Sequence, residues 1–324
     1  MMSSRYTSSV TRCLVAFVAL FALLLTLASC STQESGEGQT LNIGAIPLET
    51  ATGPVYAQEQ GYWDEHNLDI ELQDLGSGPA IVSAVASGEL DIGFSNPVSV
   101  ADAYAKGLPL VILWPAGVDS TDRQLTGLIV AADSQIQSGE DLNGGTFGVN
   151  GLGGMPHIAV QEWIDQNGGD SSTVEFVELP VSQTVQGVAE GRVDGGYASG
   201  PYLEEARQND DVRIIANGNE AISDRFVSSV WFTTSDWVED NPEAAEAFIQ
   251  VMQEAHRWAN ENPDDSLPIM AEYTGISTDL ANSMDRADLA ETSDPTMIQP
   301  ALDSAAKYAV LERPVDANEI WYQQ

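Results

Sequence analysis

The chain has 324 residues, and 49 Asp and Glu side chains against 12 Lys and Arg give it a formal net charge of −37. So acidic a chain argues against nucleic acid as a partner, because phosphate binding needs a basic face. Both cysteines, Cys13 and Cys30, precede residue 31. The rest of the chain therefore has no disulfide, no thiolate metal site and no cysteine nucleophile.

The N-terminus has the pattern of an export signal. Residues 1–12 carry two arginines and no acid, and residues 13–28 carry no charge. This apolar run is shorter than the roughly 20 residues of a membrane-spanning helix, which leaves an uncleaved signal anchor as the lesser alternative. The following Leu-Ala-Ser-Cys (27–30) resembles the lipobox of bacterial lipoproteins. That resemblance implies a signal peptide (1–29), lipid on Cys30, and a chain anchored to the extracytoplasmic face of the cell membrane without spanning it.

Ten basic and 49 acidic side chains follow the predicted signal, a formal charge of −39, and only Lys106 and Lys307 are lysines. This composition resembles the lysine-poor surfaces of proteins from salt-loving microbes. Residues 30–40 have no apolar periodicity and predict a flexible tether. The remaining length is enough for two lobes.

Strands and helices alternate from residue 41 to residue 114. Glycines and prolines mark the predicted helix ends. The predicted strands are 41–46, 68–72, 90–94 and 109–114, and the predicted helices begin near Pro54, Ser77 and Pro97.

A similar series follows about one hundred residues later. Gly88-x-x-Asp91-x-Gly93 and Gly191-x-x-Asp194-x-Gly196 are both followed by an aromatic residue, and they lie 103 residues apart. The predicted strands of this second unit are 146–150, 174–179 and 193–197, and its predicted helices are about 155–167 and 182–190 and one that begins at Pro201. The repeat predicts two related α/β lobes whose ligand lies beyond the carboxyl ends of the strands.

Two extended segments, 126–134 and 225–235, are interpreted as the strands that cross between the lobes. Residues 241–263 have apolar side chains at helical spacing and predict a helix whose stripe packs in the core. We therefore expect a first lobe of 41–125 and 231–324, with a helical C-terminal region, and a second lobe of 126–230.

Several segments resemble the substrate-binding proteins of ABC importers for sulfonates, taurine, nitrate and thiamine-type pyrimidines. The matching residues are 53–72, 85–97, 105–113, 140–149, 189–206 and 241–263. The resemblance implies the type II periplasmic-binding-protein fold, in which two lobes close on a small organic solute. It also implies delivery of the solute to a permease with a cytoplasmic ATPase. We expect a monomer without catalytic activity, cofactor or metal.

The loops at the strand ends supply the candidate ligand residues. The segment 150–157 joins a strand to a helix, and its glycines let helix-start amides approach a solute and favour an anion. Arg123 and Arg225 are the cations near the crossing segments, although surface ion pairing is the expected role of each. The candidate contacts are Thr50, Thr52, Ser95, Asn96, Trp114, Gly153, Gly154, Met155, His157, Ser199 and Tyr202.

Two other functions remain open. The same fold family includes enzymes that make a thiamine pyrimidine, and cofactor-free lyases of menaquinone synthesis. The first chemistry needs a reactive lysine or histidine, but neither lysine falls on a strand-end loop. His66 is interpreted as a surface turn residue and His256 as a helix-face residue, and only His157 lies near the proposed site. A lipoprotein that senses a solute is the third hypothesis.

Overall fold

The computed structural model describes residues 38–323. The predicted signal and Cys30 lie outside these residues, and lipidation stays a prediction. Within 38–323, no helix is both long enough and apolar enough to cross a membrane.

The described residues form thirteen strands and twelve α-helices. The strands are β1 (Gln39–Ala45), β2 (Leu68–Asp74), β3 (Ile92–Ser95), β4 (Leu110–Pro115), β5 (Gly117–Ser120), β6 (Thr126–Ala131), β7 (Thr146–Val149), β8 (Glu175–Glu178), β9 (Gly195–Ser199), β10 (Val212–Ala216), β11 (Arg225–Val227), β12 (Val230–Thr234) and β13 (Asp288–Leu289). The helices are α1 (Gly53–Gln60), α2 (Tyr62–Glu65), α3 (Gly78–Ala86), α4 (Pro97–Ala105), α5 (Met155–Gln166), α6 (Thr184–Ala189), α7 (Pro201–Gln208), α8 (Ser235–Asp240), α9 (Pro242–Glu261), α10 (Pro263–Thr274), α11 (Thr278–Ser283) and α12 (Gln299–Lys307).

Two five-stranded sheets share one topology. The first has the order β2-β1-β3-β12-β4 and the second β8-β7-β9-β6-β10. In each sheet three neighbouring strands are parallel, and the fourth position is held by an antiparallel strand. The predicted fold class of two α/β lobes is confirmed, whereas the predicted boundaries between the lobes stay a prediction.

The antiparallel strand of each sheet is a segment that the sequence assigned to a crossing. β6 lies inside the second sheet, between β9 and β10, so the interpretation of 126–134 as a crossing strand is wrong. β12, the second part of the predicted crossing 225–235, lies inside the first sheet. The crossings are the short strands β5 and β11, which precede β6 and β12 and pair antiparallel. Because β11 lies within 225–235, that prediction is confirmed for its first residues. A strand buried on both faces is apolar throughout, whether it lies inside a sheet or crosses between the lobes, so the sequence does not distinguish the two positions.

The internal repeat is visible in equivalent hydrogen bonds. Asp91 accepts from the Asn42 backbone N–H at 2.7 Å, and Asp194 accepts from that of Thr146 at 2.8 Å. Each Asp therefore ties the turn before the third strand of its unit to the first strand. The glycines match as well: a Cβ on Gly44 would meet Leu90 and Leu75, and one on Gly148 would meet Val193 and Leu179, at the corresponding positions.

The C-terminal region adds a third strand to the crossing. β13 pairs with β5, so that β11, β5 and β13 form a small sheet, called here the crossing sheet. α12 packs against both α4 and α5, and Lys307 at its end contacts Glu162 of α5 at 2.9 Å. The predicted helix at 241–263 is confirmed as α9, with most of its apolar stripe buried.

Strand directions decide which edges face the crossing sheet. β5 leaves the first sheet at the carboxyl end of β4, and it enters the second at the amino end of the antiparallel β6. That end of β6 lies beside the carboxyl end of β9, where Thr126 pairs with Ser199. The carboxyl ends of the parallel strands in both sheets therefore border the crossing sheet, where ligands of α/β sheets bind.

Candidate ligand-binding site

Six loops make up the candidate site. They follow the parallel strands at the sheet edges that border the crossing sheet. The first-sheet loops are 46–53, 75–79 and 95–97, and the second-sheet loops are 150–157, 179–184 and 199–202.

Ser95 and Asn96 stand between two helix starts in the first sheet. Ser95 is 2% exposed, and its hydroxyl has no hydrogen-bond partner among residues 38–323. The hydroxyl lies 2.6 Å from where a Cβ on Gly78 would stand, so any side chain at Gly78 would collide with it. Asn96 caps α4 by accepting the Ser99 backbone N–H at 2.9 Å. The Ser95 hydroxyl is thus a buried polar group at the start of α3.

The other first-sheet candidates are used within the fold. Thr52 is fully buried, and its hydroxyl donates to the Glu49 carbonyl at 2.8 Å. The Thr50 methyl lies against Gly117 of the crossing sheet. Trp114 is 2% exposed and packs in the core against α9. These positions favour structural roles, and their contact with a solute remains untested.

The glycine loop of the second sheet is ordered by His157. The Gly153 backbone N–H donates to Nδ1 of His157 at 2.9 Å, and that of Gly154 donates to the Gly151 carbonyl at 3.3 Å. Because Nδ1 accepts a hydrogen bond, the neutral ring carries its hydrogen on Nε2. Burial lowers the pKa of His157, which keeps the ring neutral at pH 7. Nε2 is buried without a hydrogen-bond partner in the described part of the chain.

Three further candidates complete this side. Met155 begins α5 and is buried. Ser199 ends β9 and Tyr202 lies in the first turn of α7, both half-buried. Leu152 of the glycine loop and Leu48 of the first sheet have exposed side chains, at 53% and 48%. Each sheet therefore has one exposed leucine on its candidate loops.

Sequence patterns did not reveal a buried ion pair under the first-sheet loops. The Arg286 Nε donates to Glu49 at 3.0 Å, with the two side chains only 19% and 17% exposed. Arg286 also donates to the Tyr56 hydroxyl, the Pro263 carbonyl and the Ser266 hydroxyl. Burial raises the pKa of the Glu49 carboxyl, which Arg286 opposes. The pair fastens the loop after β1 to the C-terminal region.

His256 lies on helix α9, in agreement with its interpretation as a helix-face residue. Its ring is completely buried, which the sequence did not indicate. Nδ1 lies 2.8 Å from the Ala290 carbonyl and must carry the hydrogen. Nε2 is left as an acceptor with no partner among the residues that the structure describes, close against Gly53 at the start of α1. Burial lowers the pKa of His256 to about 4.

A chain of buried polar groups joins the crossing sheet to the second sheet. Asn219 donates to Asp119 of β5 at 2.6 Å and accepts from the Tyr197 hydroxyl at 2.9 Å. Burial raises the pKa of the Asp119 carboxyl. Beside these groups lies a cavity of about 10 Å³, with room for about one water molecule.

The arginines near the crossing sheet are held by acids. Arg123 and Arg225 both contact Asp288, at 2.8 and 3.3 Å, in agreement with their expected role in ion pairs. Arg207 of α7 contacts Asp285 at 3.3 Å. Within residues 38–323, no group of three or more His, Cys, Asp or Glu is placed to hold a metal ion.

A family model described as NMT1/THI5 like matches residues 49–266, more than half of the chain. The chain belongs to the NMT1/THI5-like family. This membership confirms the resemblance identified from sequence. The match begins within the loop after β1 and ends within α10, so it includes five of the six candidate loops and residues 49–53 of the sixth.

Named members and structures show the range of this family's relatives. The taurine-binding periplasmic protein of Escherichia coli (strain K12) is 22% identical over 231 residues, which cover 70% of this chain and 69% of that protein. The 4-amino-5-hydroxymethyl-2-methylpyrimidine phosphate synthase of Candida albicans (strain WO-1) is 24% identical over 247 residues, covering 72% and 69%. The crystal structure of the periplasmic aliphatic sulphonate binding protein SsuA from Escherichia coli aligns with a TM-score of 0.73 at 18% identity, covering 88% of this chain and 92% of that one.

Proposed function

We propose that this protein is an extracytoplasmic solute-binding protein of an ABC importer, tethered to the membrane through lipid on Cys30. It captures a small organic solute between the loops of its two sheets and presents it to a permease with a cytoplasmic ATPase. The expected solutes are of the sulfonate, taurine, nitrate or pyrimidine type. The protein acts as a monomer without a cofactor.

One structural observation carries this proposal. The carboxyl edges of both sheets border the same three-stranded crossing sheet. A solute that contacts loops of both sheets gains interactions only when the two edges approach each other, which couples binding to closure. Membership of the NMT1/THI5-like family and the taurine-binding and sulphonate-binding relatives support the same function.

The enzyme alternative has support from the pyrimidine synthase relative. The positions of the lysines favour binding over that chemistry. Lys106 follows α4 and pairs with Asp102 at 2.7 Å, and Lys307 ends α12 and pairs with Glu162 at 2.9 Å. Neither lies on a candidate loop, where a Schiff-base lysine would have to reach the substrate.

A panel of solutes tests the proposal. Taurine, alkanesulfonates, nitrate and aminopyrimidines are added separately, and the melting temperature and the mass of every solute are followed. We expect at least one solute to raise the melting temperature in a saturable way, because a ligand that binds only the folded state stabilises it by mass action. Turnover of a solute without any such shift would favour the enzyme instead.

Gly117→Ala is expected to weaken binding of the solute identified by this panel about tenfold or more. A Cβ at this position of β5 would overlap the Thr50 methyl and lie 2.8 Å from the Ser229 hydroxyl, so the loop after β1 must move. Isothermal titration measures the change. The double variant Gly117→Ala with Thr50→Ser removes the overlapping methyl and should recover part of the affinity. Unchanged affinity in the single variant would separate the 46–53 loop from the binding site.

A further inference from the structure

We propose that the site selects a solute with no net negative charge, namely an uncharged, hydrogen-bonding organic molecule with apolar surface. This inference rests on the proposed function and specifies the chemistry of its ligand. It departs from the expectation that the helix starts of this chain favour an anion, and of the proposed solute types it favours the pyrimidine type over sulfonate and nitrate ions.

The candidate loops offer no positive charge. None of the six contains a lysine or an arginine. Their one histidine, His157, is kept neutral by burial, which lowers its pKa. Their one acid, Glu49, is taken up by Arg286. A bound anion would therefore meet no side-chain counter-charge within the loops.

The arginines next to the loops are already engaged by groups of the protein. Arg286 donates to four protein groups, and Arg123 is shared between Asp288 and the Arg286 carbonyl. Arg207 is held by Glu204 and Asp285. Turning Arg286 or Arg207 toward an anion would leave a carboxylate unpaired, which is strongly unfavourable where the pair is buried.

The helix starts offer fewer amides than their number suggests. A helix start normally leaves four backbone N–H groups free. Here proline, which has no N–H, occupies the first or second position of five helices at the candidate loops, as Pro54, Pro79, Pro97, Pro156 and Pro201.

Side chains and turns also take up several of the remaining amides. Ser77 accepts the Ala80 N–H at 3.4 Å, and Asn96 accepts that of Ser99. In the glycine loop, His157 accepts the Gly153 N–H, and a turn uses that of Gly154. The glycine loop is thus ordered by its own hydrogen bonds, so fewer of its backbone N–H groups are free to bind an anion.

Neutral polar atoms remain available instead. Ser95 is 2% exposed, and its hydroxyl lies against the start of α3 with no partner within the described residues 38–323. The Nε2–H of His157, from the other sheet, is a second buried group without a partner in this part of the chain. A hydroxyl and an uncharged ring N–H suit the carbonyl, amine or ring nitrogen of a neutral solute. Exposed Leu48 and Leu152 supply an apolar surface from each sheet.

The net negative charge of the whole chain also disfavours the binding of anions. Beyond the predicted signal the chain carries ten basic and 49 acidic side chains, which repel anions at low salt. At about 1 M salt this repulsion is screened within roughly 3 Å. A preference for neutral solutes that persists at high salt therefore arises from the site and not from the net charge of the chain.

Pairs of solutes matched in shape separate charge from size. Benzenesulfonamide with benzenesulfonate and methanesulfonamide with methanesulfonate differ mainly in net charge, and nitrate and a neutral aminopyrimidine extend the set. Dissociation constants are measured by isothermal titration with the purified protein, at 0.1 M and at 2 M NaCl. We expect the neutral member of every pair that binds to be at least tenfold tighter at both salt concentrations, and the aminopyrimidine to bind more tightly than nitrate.

Ser95→Ala should weaken the best neutral solute about tenfold and leave the melting temperature of the free protein nearly unchanged. Ser87→Ala, at the opposite end of α3, is the matched control and should not alter binding. An anion that binds as tightly as its neutral partner at 2 M NaCl would overturn the inference and leave the proposed function standing. Failure of every neutral and anionic solute to bind would count against the proposed function instead.

Discussion

Arg286→Met is expected to lower the free energy of unfolding by about 3–5 kcal/mol, the usual cost of removing one partner of a buried ion pair. The Glu49 carboxylate would remain in a site where its side chain is only 17% exposed. The Pro263 carbonyl and the Ser266 hydroxyl would lose a donor as well. Urea unfolding at pH 8 measures the loss.

The pH dependence of this loss identifies its cause. Burial already raises the pKa of Glu49 above its ordinary 4.5, and without Arg286 it rises further. Above pH 4.5 the unfolded chain gives up its proton while the folded variant keeps it, so the stability of the variant falls as pH rises. Arg286→Met should therefore cost less at pH 5 than at pH 8.

Two further variants test the assignment. Adding Glu49→Gln to Arg286→Met removes the unpaired charge and should recover part of the stability. Lys106→Met breaks an ion pair on the surface, where Lys106 is 52% exposed, and should cost under about 1 kcal/mol. A loss of that small size for Arg286→Met would show that the Glu49–Arg286 pair behaves like an exposed one.

Local patterns carried most of the fold prediction. The spacing of Gly88 to Gly93 and of Gly191 to Gly196 predicted the repeat, because each motif forms a compact turn closed by its own Asp, Asp91 or Asp194. Helix ends were predictable for the same reason, because proline and glycine start or end a helix through effects on residues close in sequence. The positions of β6 and β12 inside the two sheets were not predictable, because a uniformly apolar segment does not show which strands it pairs with.

The site was less predictable because its important contacts are distant in sequence. Glu49 and Arg286 are 237 residues apart, and His256 meets Ala290 across 34. Nothing in the sequence around Arg286 distinguishes it from a surface arginine. Ser95 and His157 were identified from strand-end position, but their buried polar atoms required the structure. The same holds for the glycine loop, whose amides are used by His157 and a turn.

Acidification is expected to destabilise this protein through His256. Its pKa is about 4 in the folded chain against 6.5 as its ordinary value. At a pH between those values His256 is protonated in the unfolded chain but neutral in the folded chain, so the free energy of unfolding falls as pH falls. At about 1.4 kcal/mol per pH unit, the contribution is full above pH 6.5 and about 3 kcal/mol smaller at pH 4.

The variant His256→Gln isolates this term from the many carboxylates that titrate in the same range. A neutral amide is able to donate to the Ala290 carbonyl but does not take up a proton. The difference in unfolding free energy between wild type and variant should therefore favour the wild type most at pH 7.5 and shrink by about 3 kcal/mol by pH 4. If the variant does not fold, an NMR titration of the wild-type ring decides the matter. A ring that takes up its proton near pH 6.5 in the folded protein would rule out His256 as the acid-sensitive group.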